Sequence, residues 1–320
     1  MIVSVVICCY TDERWDQLRM AIESLRTQDV PATEVVVAVD YNDALLRRVT
    51  GAFPDAIVTA NTGAKGLSGA RNSGIAASRG EIVAFLDDDA IAAPDWLARL
   101  LPHYESPAVL GVGGLVGPIW TTARPRWFPG EFDWVVGCSY RGLPEHAAPV
   151  RNLIGCNMSF RRSVLETLGG FNSALGRSGR YPAGCEETEL CIRALQAWPN
   201  GLIMHEPRAR VRQWVPESRS RWRYFRRRCY AEGRSKATVS RLVGAGPALA
   251  SERAYTLRVL PRGVLGTISM ALWRGDRHAL PRAGAIVAGL MLTAGGYLAG
   301  GALRFAQRRG SGAGSLPPSR

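Results

Sequence analysis

The chain has 320 residues, of which 47% are apolar, and a formal net charge of +13. The length fits one large domain, or a domain of roughly 200–250 residues with an appendage, and the apolar share is ample for a core. Its seven cysteines show no CxxC and no paired metal-ligand spacing, which excludes a cysteine metal centre and predicts reduced core thiols in a cytosolic protein. The opening residues Met1–Ile7 carry no basic segment and lead straight into a strand, so no signal peptide is expected.

Strands and helices alternate over the first 120 residues. Val3–Cys9 is a continuous apolar run, as expected of a strand covered on both faces. Arg14–Gln28 has apolar residues at helical spacing. Strands are predicted over Glu34–Val39, Ala56–Ala60, Glu81–Leu86 and Ala108–Val116, with helices over Leu67–Ser78 and Pro94–Glu105. Such alternation predicts βαβ units and a mostly parallel sheet.

Residues 118–150 break the rhythm with Pro118, Pro125, Pro129, Pro144 and Pro149 beside Trp120, Trp127 and Trp134, and read as a loop or short antiparallel strands. Stacking of these tryptophans on acceptor sugars and a structural loop core are both open readings. A helix from Ser163 should end at Gly169-Gly170. A glycine-containing loop (Gly176, Gly179, Gly184) follows, and a helix opens with Glu186-Glu187-Thr188-Glu189.

Asp87-Asp88-Asp89 closes the apolar run of the fourth strand. In an open α/β sheet that end of a strand is where ligands bind. Carboxylates at such an exit can share Mg²⁺ or Mn²⁺ whose other ligands are phosphate oxygens. An isolated acidic turn would be equally well explained as solvated surface, so the neighbouring motifs decide.

Those motifs resemble the family 2 glycosyltransferases of GT-A fold. VSVVICCYTDER is similar to the family's first strand and polar turn, and VVVAVD ends in the expected Asp40. KGLSGARNSGIAASRGEIVAFLDDD follows the family's long donor-side stretch almost residue for residue. IGCNMSFRRSVLETLGGFN and GCEETELCIR match its later segments in order. The likeness covers residues 2–200. It implies a Rossmann-like sheet flanked by helices, a nucleotide-diphosphate sugar donor (most simply UDP-linked), and transfer with inversion to a hydroxyl of a glycan or polyprenyl-linked acceptor in cell-envelope biosynthesis.

Carried over residue by residue, the resemblance puts Tyr10, Asp12 and Asp40 around the base and ribose, and Arg71 and Asn72 in the donor pocket. Asp87 and Asp89 would hold the Mg²⁺ or Mn²⁺ and the diphosphate, with Asp88 facing ribose or sugar. Asn157 would lie beside donor sugar and acceptor. Glu187 falls at the catalytic base, with Glu186 as its rival and Glu189 orienting a neighbour. A helix N-terminus favours the ionised carboxylate that a base requires, although acidic first turns are also ordinary capping. One position departs from the family: where a V-x-H histidine is common, this chain has Gln213, with Arg212 or Arg219 as alternative partners for the diphosphate.

Charge is distributed unevenly. Residues 1–204 carry 18 basic and 22 acidic side chains, whereas residues 205–282 carry 18 and 5. The expected organisation is a catalytic domain 1–215 (donor half 1–117, acceptor half 118–215), a basic helical tail 216–309 and a disordered end 310–320. Ala283–Leu303 has no charge and is long enough to span a bilayer or to lie in its interface. The arginine–aromatic run Arg219–Arg228 favours an anionic membrane surface over nucleic acid, so localisation at the cytoplasmic face of the membrane is expected and no nucleic-acid partner. A metal-dependent nucleotidyltransferase is disfavoured because CCYTDER lacks a glycine-rich loop. A non-catalytic scaffold is disfavoured by the intact carboxylates.

Overall fold

The computed structural model describes residues 1–176 and 184–311; the expected loop glycine Gly179 and most of the expected disordered end lie outside the described residues. Chain order runs β1 (Val3–Cys9), α1 (Trp15–Arg26), β2 (Glu34–Val39), α2 (Asp43–Ala52), β3 (Ile57–Ala60), α3 (Leu67–Ala77), β4 (Ile82–Asp87), β5 (Ala90–Ala92) and α4 (Trp96–Leu100). It continues through β6 (Val109–Trp120), β7 (Ala148–Pro149), β8 (Asn157–Arg161), α5 (Arg162–Leu168), α6 (Glu186–Ala197) and β9 (Leu202–Val215). The tail is helical: α7 (Glu217–Ser220), α8 (Trp222–Val243), α9 (Ala245–Ala254), α10 (Leu260–Arg274) and α11 (Ala279–Ser311).

One sheet organises the first 215 residues, in the order β3-β2-β1-β4-β8-β6-β9-β5, with β7 beside β9. Strands β3, β2, β1 and β4 are all parallel. Their side chains alternate between two covered faces, which is why they read as continuous apolar runs. Val3, Val5, Ile7, Val37, Val39, Ile82, Ala84 and Leu86 pack with Leu18, Ile22, Leu45 and Trp96 of the helices on one face. Val6, Val36, Val83 and Phe85 pack with Val164, Leu165, Leu190 and Cys191 on the other.

Beyond β4 the topology changes. β8 runs antiparallel to both β4 and β6, β5 and β7 run antiparallel to β9, and β6 and β9 are parallel. The sheet is therefore parallel from β3 to β4 and mixed beyond β4. The α/β class is as expected, with helices on both faces. β6 extends past the expected end, through Pro118 to Trp120. Proline is tolerated because β8 pairs β6 only over Gly111–Gly113, leaving Pro118 with β9 on one side. The short segment Gly130–Val136 is a 3₁₀ helix, and β7 is the antiparallel strand of this region.

A third core joins that region to the tail: Val116, Phe128, Phe132 and Val136 pack against Phe225 and Cys229 of α8, Leu260 of α10 and Ile286 of α11. Trp127 meets Phe225 and Trp222 edge-on, with ring centroids 5.5 and 5.0 Å away. The tryptophan loop is thus a structural core at Trp127. Helices α8 and α11 touch backbone to backbone, since a Cβ added at Gly233 would meet the Thr293 carbonyl oxygen at 2.0 Å and one at Gly296 the Tyr230 carbonyl oxygen at 2.1 Å. Only small residues permit that approach.

Candidate active site

The parallel strands deliver their C-terminal ends to one rim. β1 leads into Tyr10 and Asp12, β2 into Asp40 and β4 into the aspartate run. Tyr10 is exposed, and Asp12 pairs with Arg48 at 3.0 Å. Asp40 accepts from the Gly66 amide (3.1 Å) and from Asn61 Nδ2 (2.6 Å), which anchors the turn that starts α3. The next residue, Tyr41, has φ +48°, a left-handed conformation that costs a non-glycine residue energy and is often found beside functional groups.

Arg71 on α3 is the hub. It is 2% exposed and donates to Glu186 Oε1 (2.9 Å) and the Gly155 carbonyl (3.1 Å), with Asp87 Oδ1 at 3.5 Å. A single guanidinium therefore ties the end of β4 to the start of α6. Removing one partner of such a buried pair costs about 3–5 kcal/mol, because the other charge is left uncompensated.

Asp88 and Asp89 are both buried. Arg14 donates to Asp88 Oδ1 at 2.7 Å and lies 3.2 Å from Asp89 Oδ2; Arg219 lies 3.8 Å from that same oxygen. Gln213 Nε2 donates to Asp89 Oδ1 at 3.1 Å, with β5 and β9 in register at Ala90 and Gln213. The residue standing in place of the family histidine is thus directly on the last aspartate. Burial, reinforced by Asp89 and Asp87 and opposed by Arg14, pushes the Asp88 carboxyl up to about 7.

Glu187 lies at the N-terminus of α6, just after Cys185, whose φ is +75°. Burial and the neighbouring Glu186 push its carboxyl up to about 8. The expectation that the helix terminus keeps this group ionised is therefore corrected: loss of hydration outweighs the dipole. Glu186 is fully buried and tied to Arg71, whereas Glu187 is partly open. Glu189 is held by Arg193 at 2.8 Å.

Both glutamates, Asp87, Arg71 and Gln213 line one cavity of about 520 Å³. The same cavity is also lined by Trp134, Tyr140, Arg151, Arg228, Glu232, Lys236 and Glu252, and by Leu260, Leu290 and Leu298 from α10 and α11.

Two expected site residues are engaged elsewhere. Asn72 Nδ2 donates to the Phe171 carbonyl and its Oδ1 accepts from the Phe171 amide, both at 2.8 Å, so it pins the turn after α5. Asn157 is fully buried: its Oδ1 accepts from Trp96 Nε1 (2.8 Å) and its Nδ2 donates to the Leu115 and Ala209 carbonyls. It locks β8, β6 and β9 together. Arg14 was not legible, since nothing marks one arginine at the start of a helix as a partner for carboxylates 74 positions away. Lys236 carried a faint signal, as one of only two lysines in a chain with 40 basic residues.

Among the described residues no group of three or more histidine, cysteine or acidic side chains is arranged to hold a metal ion. Two carboxylates suffice for Mg²⁺ when phosphate supplies the remaining oxygens. Asp87, Asp88 and Asp89 stand together at the end of β4, and Asp88 Oδ2 is buried without a partner. This unused hard oxygen between two further carboxylates fits a divalent cation.

Residues 4–169 match the family model described as Glycosyl transferase family 2. A glucosyl-dolichyl phosphate glucuronosyltransferase of Haloferax volcanii is 36% identical over 246 residues, covering 76% of this chain and 78% of that protein. Succinoglycan biosynthesis protein ExoM of Rhizobium meliloti is 29% identical over 246 residues, covering 73% of each. In fold, the chain is similar to the mannosyltransferase PcManGT of Pyrobaculum calidifontis, solved with GDP-Man and Mn²⁺, at a TM-score of 0.55 and 18% identity over 91% of this chain and 86% of that one.

Proposed function

The chain belongs to glycosyl transferase family 2, and from that premise we propose that it transfers a sugar, with inversion, from a nucleoside-diphosphate sugar to a hydroxyl of a lipid-linked glycan. The observation that carries this reading is the shared cavity in which Asp87 and Glu187 face the same space, bridged by Arg71 through Glu186. The glucosyl-dolichyl phosphate named for the Haloferax relative supports a lipid-linked acceptor.

Tyr10, Asp12 and Asp40 form the rim for base and ribose. Asp87 and Asp89 would hold Mg²⁺ or Mn²⁺, which when bound stabilises the negative charge that develops on the leaving diphosphate. The PcManGT complex with Mn²⁺ supports that reading. Arg14, Arg219 and Gln213 set the position of Asp89. In the transfer itself the acceptor oxygen attacks the anomeric carbon from the face opposite the diphosphate. The bond from that carbon to the phosphate oxygen breaks, its electron pair leaves with the nucleoside diphosphate, and the acceptor proton passes to Glu187. The product has the opposite anomeric configuration. Glu187 must be ionised to act, so its raised proton affinity places the working range on the alkaline side of neutrality.

The tail supports membrane association. Ala279–Ala302 is long and apolar enough to cross a bilayer, and only 28% of its apolar window is buried in the protein. Yet this helix packs along α8, where Arg241 donates to the Gly300 carbonyl at 2.8 Å. Spanning would carry α8's arginines into hydrocarbon, at a cost of about 2.5–3.5 kcal/mol each. We therefore read α11 as lying in the interface, on the cytoplasmic side where the donor nucleotide is available.

The test uses detergent-solubilised protein with a panel of UDP-, GDP- and dTDP-sugars, with Mn²⁺ or EDTA. One donor should release nucleoside diphosphate in a cation-dependent way. Glu187→Gln should lower turnover by about 10²–10⁴-fold with nucleotide binding intact, and Asp89→Ala should abolish the cation dependence of binding. Full turnover in Glu187→Gln would sink the base assignment.

A further inference from the structure

The cavity contains a second charged cluster that glycosyl transfer does not explain. Lys236 and Arg228 of α8, Arg151 of the segment before β8, Glu232 of α8 and Glu252 of α9 all line it, beyond the two glutamates of α6. Lys236 contacts Glu232 at 3.3 Å and is bonded to Glu252. Arg151 is bonded to Glu252, with Nη2 to Oε1 at 2.8 Å. Arg228 donates to Glu232 at 2.6 Å, is about nine-tenths buried, and keeps an Nε with no partner. Among the described residues three cations thus share two carboxylates, and the buried Arg228 Nε is an unused donor.

The cluster also has a position. Cys185 Sγ, just before α6, lies 3.3 Å from Glu232 Oε1, and Glu232 contacts Lys236, so the cationic group begins beside the start of the helix that carries the candidate base. The same cavity is lined by Leu260, Leu290, Ala294 and Leu298, from the two helices that carry the exposed apolar face. The lining thus combines a carboxylate suited to a hydroxyl, a cationic group and aliphatic walls. Tyr255 and Thr256, in the π-helical turn that joins α9 to α10, line the same stretch; such turns are frequent at functional sites.

We propose that Lys236, Arg151 and Arg228 seat the phosphate of a polyprenyl-phosphate-linked acceptor, with Glu252 holding the place of that phosphate until the lipid enters between α10 and α11. The inference rests on the lipid-linked reading above and assigns it to residues. The phosphodiester that links sugar to polyprenol spreads one charge over two non-bridging oxygens, so it can replace the carboxylate that bridges Lys236 and Arg151, while its further oxygens give Arg228 Nε an acceptor. Glu252 sits on α9 next to the π turn, so releasing it loosens the wall through which an alkyl chain would pass. The sugar attached to the phosphate then lies toward Glu187, where its hydroxyl is needed.

The full chain in neutral detergent micelles should be titrated, without donor, with a polyprenyl monophosphate, the matching polyprenol and inorganic phosphate, read by calorimetry. The polyprenyl phosphate should bind at least about tenfold more tightly than the polyprenol, the size expected for charge-assisted hydrogen bonds. Lys236→Gln and Arg151→Gln should each weaken it by about tenfold without changing UDP binding, which serves as the control for folding. Glu252→Gln removes the competing carboxylate and should tighten it severalfold. Equal binding of phosphate and polyprenol, or weaker binding by Glu252→Gln, would overturn the site. Inorganic phosphate binding as tightly as the lipid would overturn the lipid assignment in favour of a free-anion site. Because no donor is present, failure here leaves the transfer reading standing, and failure of the Glu187→Gln test leaves this titration interpretable.

Discussion

Around the donor end of the sheet, charge is buried and apolar surface is covered; the tail buries some charge too but leaves apolar surface exposed. Arg71, Asp88, Asp89 and Glu186 are all nearly inaccessible, and each is held by a partner from a different part of the chain. Large exposed apolar side chains are sparse there, the ones in the first 215 residues being Met1, Ile2, Tyr10, Met20, Val30 and Tyr41. From residue 257 onward, Leu257, Leu265, Met270, Leu272, Trp273, Leu280, Val287, Met291 and Leu298 are exposed. An apolar face of that extent marks an interaction surface. The first region obtains its order from its own layers, and the second leaves one apolar side uncovered.

The comparison is broken most severely at its buried charges. Arg71→Met leaves Glu186 and Asp87 without their shared cation, and should lower the unfolding free energy by about 3–5 kcal/mol, read by urea denaturation. A fall under 1 kcal/mol would mean that water reaches this pair. Next comes Gly296→Val, which forces α11 away from the Tyr230 carbonyl and should cost about 1–3 kcal/mol by overpacking. It should also release α11 from α8, detectable as new protease cleavage in the tail.

The pH dependence sharpens the contrast from the catalytic side. Glu187 holds its proton more tightly in the folded chain than a free glutamate does, so it is protonated below about 8 and becomes a base as the pH rises through that value. In that range kcat/KM should climb by about tenfold per pH unit until it levels off. A flat profile from pH 6 to 9 would place the proton elsewhere. The smallest stability effect is expected at Trp273→Ser with Leu272→Ser. Both side chains are exposed, so melting should shift by less than about 0.5 kcal/mol per site, while binding to anionic vesicles falls by tenfold or more. Unchanged vesicle binding would remove α10 from the membrane face.

Much of the donor half was legible because its signals are local. The parallel strands read as apolar runs since both their faces are covered, and Asp40 and Asp87–Asp89 are strand-end positions that follow from chain order. The family match over residues 4–169 agrees with the motifs read there. Asn72 and Asn157 look like pocket residues in a one-dimensional reading. Only the fold reveals that the Phe171 backbone engages the first and three strands the second.

What the sequence determined by itself was the class of the molecule: hydrophobic periodicity dictates strands and helices, and the motif order dictates the family. What tertiary structure decided was the state and partners of the charges. A helix terminus by itself favours an ionised Glu187, but desolvation depends on everything packed around it, and burial beside Glu186 reverses the outcome. Likewise Lys236, Arg151 and Glu252, spread over a hundred residues of chain, become one cluster only when α8 and α9 fold over the start of β8. Electrostatic free energy depends on distance and local dielectric, and neither is written in the order of residues.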